Sequence, residues 1–262
     1  MSPDPLEGQV AIVTGGGRGI GRAIALELSG RGVRVLVTGR NERALGETVG
    51  EAAHAGGQVR HLIGDVRDEG HARAAAARAR ELWGRVDIAV ANAGMSGTTR
   101  MGDPAAPALA RGIIETNLLG AYFLFDAALA VMRSPGRLLA ISSVLGKFGV
   151  AGQGAYCASK AGLHGLVRAV AAEVGARGVT CNAVCPGWVD TEMARVRIGD
   201  LASEQGRTYD ETRRFASEAT PIQRFVEPEE VAKLVAYLCS PAAAAITGQA
   251  LSICAGATAF AG

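Results

Sequence analysis

A doubly wound α/β fold, a Rossmann-like parallel sheet of about seven strands with helices on both faces, follows from three features of the sequence. Short β-branched runs recur along the chain, segments of helical periodicity separate them, and the first run leads straight into a Gly-rich turn. Strands covered on both faces read as continuous apolar runs, and right-handed crossovers wind them into a doubly wound sheet.

The elements follow in order. QVAIVTG (9–15) is short, β-branched and bounded by Gly, a buried strand. Residues 19–31 carry Ile20, Ile24 and Leu28 at helical spacing. VRVLVTGR (33–40) is the second strand, 41–55 a helix, and QVRHLIGDV (58–66) the third strand. The Ala-rich stretch 70–83 has high helix propensity and no metal or charge logic, so it reads as scaffold. VDIAVANAG (86–94) is the fourth strand, 107–133 one or two helices, and GRLLAISS (136–143) the fifth strand. A long helix over 155–176, a strand GVTCNAVCPG (178–187), a helix over 228–240 and a last strand ITGQALSICAG (246–256) complete the pattern. No composition break marks a linker, so residues 1–262 are expected to form one domain. Residues 189–226 are charged and irregular, with six Arg against seven acids, and are expected to form a flap beside a ligand crevice rather than a one-sign docking patch.

Composition narrows the function. The chain has 262 residues, 48% hydrophobic and 20% charged, which is globular rather than disordered. No run approaches the roughly 18 uninterrupted apolar residues of a membrane helix, and MSPDPLEGQV lacks the pattern of a secretion signal. A net charge of +2 indicates neither nucleic acid nor an anionic membrane as partner. Five Cys and four His show no CxxC pair and no zinc spacing, so no metal site is expected, and reduced thiols fit a cytoplasmic protein. The 36 Gly are the unusual count, since Gly serves sharp turns and close approach to ligands.

TGGGRGIG (14–21) joins the first strand to the first helix, the context in which a Gly-rich loop binds a dinucleotide pyrophosphate. Gly15, Gly17, Gly19 and Gly21 permit the turn, and Arg18 and Ile20 lie between them. NAD-binding sheets place an acid about 20 residues further on for the ribose 2′-hydroxyl. Here Gly39 is followed by Arg40, a guanidinium suited to a 2′-phosphate, and Arg18 lies within reach of the same charge, so NADP(H) is expected. Tyr156 and Lys160 are four apart on a predicted helix and share one face. Ser143 ends the fifth strand, where ligands bind in such sheets. Asn117 is a polar residue in apolar company, which a satisfied buried amide also explains.

With TGGGRGIG, GDV (64–66), ANAG (91–94), Asn117, ISS (141–143), YCASK (156–160) and CPGWVDT (185–191), the chain resembles the short-chain dehydrogenase/reductase family from about residue 8 to 256. NAVCPGWVDTEMA (182–194) and the stretch 220–256 are most similar to aromatic polyketide ketoreductases and 3-oxoacyl-carrier-protein reductases. After NAG the chain carries Met95-Ser96-Gly97 where those ketoreductases carry Pro-Gly-Gly.

The resemblance implies catalysis by Asn117, Ser143, Tyr156 and Lys160. Hydride would pass from the nicotinamide to a ketone or 3-oxoacyl carbon, Tyr156 would donate the proton, and Ser143 would orient the carbonyl oxygen. A nearby Lys160 ammonium is expected to lower the phenol pKa. Lys160 would hold the ribose hydroxyls and Asn117 a proton-relaying water. Asp65 would accept from the adenine amino group beside Val66, with Asn92, Ala93 and Gly94 on the cofactor. Pro186, Gly187, Val189 and Thr191 would meet the nicotinamide side, and Trp188 would either line the substrate or pack under the flap. A homotetramer and a carrier-bound substrate are further implications. An oxidative secondary-alcohol dehydrogenase and a non-catalytic dinucleotide sensor are the alternatives.

Overall fold

The computed structural model describes residues 4–259. The expected domain span 1–262 and the reading of the N-terminus therefore extend to residues 1–3 and 260–262, which lie outside the described residues.

Seven parallel strands form one sheet in the order β3-β2-β1-β4-β5-β6-β7. They are β1 Val10–Thr14, β2 Arg34–Gly39, β3 Gln58–Ile63, β4 Ile88–Ala91, β5 Arg137–Ile141, β6 Thr180–Pro186 and β7 Ala250–Ile253. The order reverses between β1 and β4, so the strands diverge there and open a crevice at their C-terminal ends. Alternate residues of each central strand feed two cores. Ala11, Val13, Val35, Val37, Ile88 and Val90 pack with α1 (Gly19–Gly30), α2 (Glu42–His54) and α9 (Pro228–Cys239). Val10, Ile12, Leu36, Ala89 and Leu138 pack with α3 (Glu69–Trp83), α5 (Gly120–Leu129) and α6 (Gly154–Val174).

Local chemistry sets the helix ends. Asn41 Oδ1 accepts from Ala44 N at 3.0 Å to start α2, and Asp68 Oδ1 accepts from Gly70 N at 2.8 Å to start α3. Gly84 stops α3 at φ +75°. Several strands are shorter than expected, because ladder pairing ends where Gly and Asn residues turn into the site loops; β4 spans Ile88–Ala91 and β7 Ala250–Ile253.

The expected helix or helices of 107–133 form a continuous run: α4 Ala106–Ile114, a π-turn Glu115–Leu119, then α5. The run Ala106–Leu129 is long and apolar enough to cross a membrane by length and composition. Its Ile113, Leu124, Phe125, Ala127 and Ala128 are nevertheless buried in the protein core.

The irregular reading of 189–226 is corrected. Two helices occupy most of it, α7 Glu192–Gln205 and α8 Tyr209–Glu218. Ala194, Ile198 and Ala202 recur every four residues and are buried, an apolar stripe that the surrounding charges obscure in the sequence. A Thr208–Glu211 capping box starts α8.

Candidate active site

The end of β1 and the end of β4 are tied together first. Thr14 Oγ1 accepts from the N–H groups of Asn92 and Ala93, each at 3.0 Å. Asn92 Nδ2 donates to Thr14 O at 2.9 Å and to Gly15 O at 3.3 Å. Asn92 and Ala93 thus brace the Gly-rich turn. Thr14 was not among the expected site residues, and its signal was a hydroxyl at the strand end, just before the glycines. Gly15 has φ +67°, and a Cβ on Gly21 would lie 2.2 Å from Gly15 O and 2.3 Å from Asn92 Nδ2, so α1 can sit this close only without one. At Gly17 the turn approaches α2 at Ala44, and Ile20 packs against the core. Arg18 gives α1 no side-chain cap, and the first turn holds no acid. The helix therefore begins with N–H groups and a positive dipole end suited to an anion.

The two arginines expected to select the cofactor are exposed, each beside an acid. Arg18 pairs with Glu192 at the start of α7. Arg40 Nη1 lies 4.0 Å from Asp65 Oδ2, with its side chain 74% exposed. Asp65 also accepts from Arg67 Nη2 at 2.6 Å and from Arg67 N at 3.0 Å. The Arg67 hydrogen bond is the chief cause that holds the Asp65 carboxyl below its usual range. The expected adenine acceptor is thus already engaged by a guanidinium two residues along, a partner that the motif GDV alone did not suggest. Val66 is buried against Gly120 of α5.

The four expected catalytic residues come from three elements. Ser143 follows β5, and its Oγ accepts from Leu145 N at 3.1 Å. Tyr156, half-buried, and Lys160, buried, face one side of α6, with Lys160 Nζ 5.6 Å from the Tyr156 ring centroid. Lys160 Nζ donates to Ile141 O at 2.7 Å. Asn117 lies in the π-turn and is buried. Its Oδ1 accepts from Met95 N at 2.8 Å, while Nδ2 donates to Met95 O and Ser159 Oγ, both at 3.0 Å. The amide thereby pins the loop after β4 to α6, as a satisfied buried amide would. A Cβ on Gly94 would sit 3.4 Å from Asn117 Oδ1 and 3.6 Å from Lys160 Nζ, which places this glycine between the two.

The expected acidification of Tyr156 is reversed. Burial pushes the phenol above its ordinary value, and the Ser143 hydrogen bond only partly offsets that. Lys160 contributes little because its ammonium is directed to Ile141 O and lies over the ring rather than at the hydroxyl. Burial acts on the lysine as well, bringing it down to about 8.

On the far side, Pro186 ends β6 and Gly187 N donates to Ile253 O at 3.0 Å. Val189 is buried and bridges Val226. Thr191 caps α7 by accepting from Ala194 N at 3.3 Å, and its methyl group adjoins Gly19. Trp188, partly buried, stacks on Phe225 at 5.7 Å, near the end of the stretch expected to form the flap.

Comparison with known proteins bears on this geometry. A family model described as enoyl-(acyl carrier protein) reductase matches residues 15–258. A putative ketoacyl reductase of Streptomyces coelicolor is 38% identical, over 95% of this chain and 97% of that protein. The 3-oxoacyl-(acyl-carrier-protein) reductase FabG of Escherichia coli is 36% identical, over 94% of this chain and 96% of that protein. A crystal structure of an actinorhodin polyketide ketoreductase variant with NADPH superposes with a TM-score of 0.92 at 38% identity, covering 96% of this chain and 98% of that one. The chain belongs to the short-chain dehydrogenase/reductase family, oxidoreductases that act on C=O and CH–OH groups.

Proposed function

We propose that the protein is an NADPH-dependent ketoreductase acting on a ketone or 3-oxoacyl carbonyl, with Tyr156 as general acid. The observation that carries this reading is the convergence of Ser143, Tyr156 and Lys160 at the C-terminal end of β5, which only β4 separates from β1 and its Gly-rich turn. The uncapped start of α1, free of acids, fits a pyrophosphate. The Arg18 and Arg40 pairings are solvent-exposed and worth little, so a 2′-phosphate can take over both guanidinium groups. Gly15, Gly17, Arg18, Gly19, Ile20, Gly21 and Arg40 would hold the phosphates, Asp65, Val66, Asn92, Ala93 and Gly94 the adenosine side, and Pro186, Gly187, Val189 and Thr191 the nicotinamide side. Bound NADPH supplies a hydride.

The chain's own groups do the rest. Ser143 orients the carbonyl oxygen with its hydroxyl. Tyr156, kept protonated by burial, donates the proton that the product oxygen needs. A lysine brought to about 8 exchanges protons near neutral pH. Relatives named ketoacyl reductases support a 3-oxoacyl substrate, free or carrier-bound. We read the chain as one domain whose flap, α7 and α8, covers the substrate side. The cytoplasmic homotetramer implied by the resemblance is compatible with Leu119 and Tyr122, both exposed on the π-turn and α5.

NADPH oxidation with an acetoacetyl thioester, set against a crotonyl thioester, tests the reading. Turnover is expected with the first. Turnover confined to the second would make the protein an enoyl reductase, the activity in the family model's description. Tyr156→Phe is expected to retain NADPH binding while carbonyl reduction falls by at least ~10². Unchanged turnover would remove Tyr156 from its role, and NADPH binding with no wild-type turnover on any ketone would favour a dinucleotide sensor.

A further inference from the structure

One imidazole lies behind the candidate site and joins three of the elements that build it. His164 stands one helical turn after Lys160 on α6 and is buried. Its Nε2 lies 2.9 Å from Ser142 Oγ and 3.3 Å from Cys185 Sγ. Ser142 immediately precedes Ser143, and Cys185 immediately precedes Pro186. Ser142 Oγ donates to the main-chain oxygen of Lys160 at 3.0 Å, while Lys160 Nζ donates to Ile141 O at 2.7 Å. Two bonds of opposite sense therefore lace the end of β5 to the turn of α6 that carries Tyr156 and Lys160.

A serine hydroxyl has one proton. We assign that proton to the bond with Lys160 O, so that Ser142 offers His164 only lone pairs and Nε2–H is the donor in the matching tautomer. Burial is the main cause that holds the imidazole neutral, and Lys147, Arg168 and Lys160 around it add to this. The Cys185 thiol stays protonated because burial raises its pKa, so it presents no anion that would draw a second proton onto the ring. The donor is thus available at neutral pH, and nothing in the chemistry assigned to Tyr156, Lys160, Ser143 or Asn117 uses it.

We propose that His164 is a positioning residue for carbonyl reduction: through Ser142 it holds the Ser143 end of β5 in register with Tyr156 and Lys160 on α6. The inference deepens the ketoreductase reading and rests on it. A histidine that merely filled the core would contribute to stability and leave the turnover of each folded site untouched.

The test uses the full-length wild type with His164→Leu, His164→Gln and Ser142→Ala. Leu fills volume without a donor, whereas the Gln amide places an N–H at about the reach of Nε2. NADPH-linked reduction of an acetoacetyl thioester is measured per folded site, and NADPH affinity is measured by fluorescence titration. His164→Leu and Ser142→Ala are each expected to lower kcat about tenfold, near the limit for one net hydrogen bond, with NADPH Kd changed less than about twofold. His164→Gln should keep at least half of wild-type kcat. The double variant that combines His164→Leu with Ser142→Ala should be no slower than either single one, as expected for members of one network. Equal losses in the Gln and Leu variants, or an unchanged kcat in the Leu variant, would overturn the proposal. Should the Leu variant fail to fold, an unchanged kcat in Ser142→Ala would overturn it alone. A wild type inactive on every ketone would end the ketoreductase reading and this inference with it, whereas an active wild type with indifferent variants would end only the inference.

Discussion

In the proposed reading, Arg18 and Arg40 are exposed charges that select a ligand without stabilising the fold. Each sits beside a carboxylate, Glu192 or Asp65, in surroundings where water screens the attraction. A phosphate group offers more charge and several acceptor oxygens, so the guanidinium groups should prefer it when it is present. Arg40→Ala and Arg18→Ala are each expected to lower the preference for NADPH over NADH about tenfold, with NADH affinity little changed. Parallel titrations with both cofactors check this, and equal losses for the two would mean that neither side chain reads the 2′-phosphate. The identity of both arginines was legible in the sequence, because their positions follow from the turn and the second strand. Their partners were not: Glu192 is 174 residues from Arg18 and reaches it only because α7 starts beside the first turn of α1. Asn117 is a similar case, since its three bonds to Met95 and Ser159 depend on how the π-turn faces α6.

Elements meet at the crevice with little slack. The first turn of α1, the Gly15 turn and the Asn92 side chain occupy one small volume, so Gly21 has no space for a methyl group. Gly21→Ala must push backbone and amide apart, a cost of about 1–3 kcal/mol for overpacking. A lower denaturant midpoint and an NADPH affinity weakened at least tenfold are the expected outcomes. A variant with wild-type affinity would mean that the turn tolerates the shift and that its glycines do not set the pyrophosphate cradle. The flap teaches the opposite lesson about reading elements. Its charges are balanced and its hydrophobicity is low, so residues 189–226 read as irregular. The helices α7 and α8 form because Thr191 and Thr208 cap them and because Ala194, Ile198 and Ala202 find a surface to bury against. Capping residues were visible in the sequence; the receiving surface was not.

Across the whole molecule, burying Lys160 opposes stability, and in the proposed reading the same lysine serves function. Its pKa falls from 10.5 to about 8, so the folded state releases this proton more readily than the unfolded chain does. Below about pH 8 both states are protonated and the penalty is present in full; between about 8 and 10.5 the unfolded state binds more protons, and stability rises with pH. Lys160→Met is therefore expected to be more stable than wild type near pH 7, by up to about 3 kcal/mol less the lost bond to Ile141 O. That advantage should shrink steadily from pH 8 to 10. Denaturant unfolding at several pH values checks it, and a gap that stays constant or widens would mean that the lysine is not buried as a strained cation. The order of strands and helices, the Gly-rich turn and the Tyr156–Lys160 spacing could all be read along the chain, because periodicity and short-range spacing are local properties. The acidity of Tyr156 could not: one helical turn brings Lys160 near the ring, but only the packed sheet decides that its ammonium turns to Ile141 O and that desolvation governs the phenol. The imidazole of His164 stood in the sequence as one scattered histidine among four. Its contact with Ser142 and Cys185 exists because the C-terminal ends of β5 and β6 meet the middle of α6, a long-range arrangement set by how the cores close around the sheet.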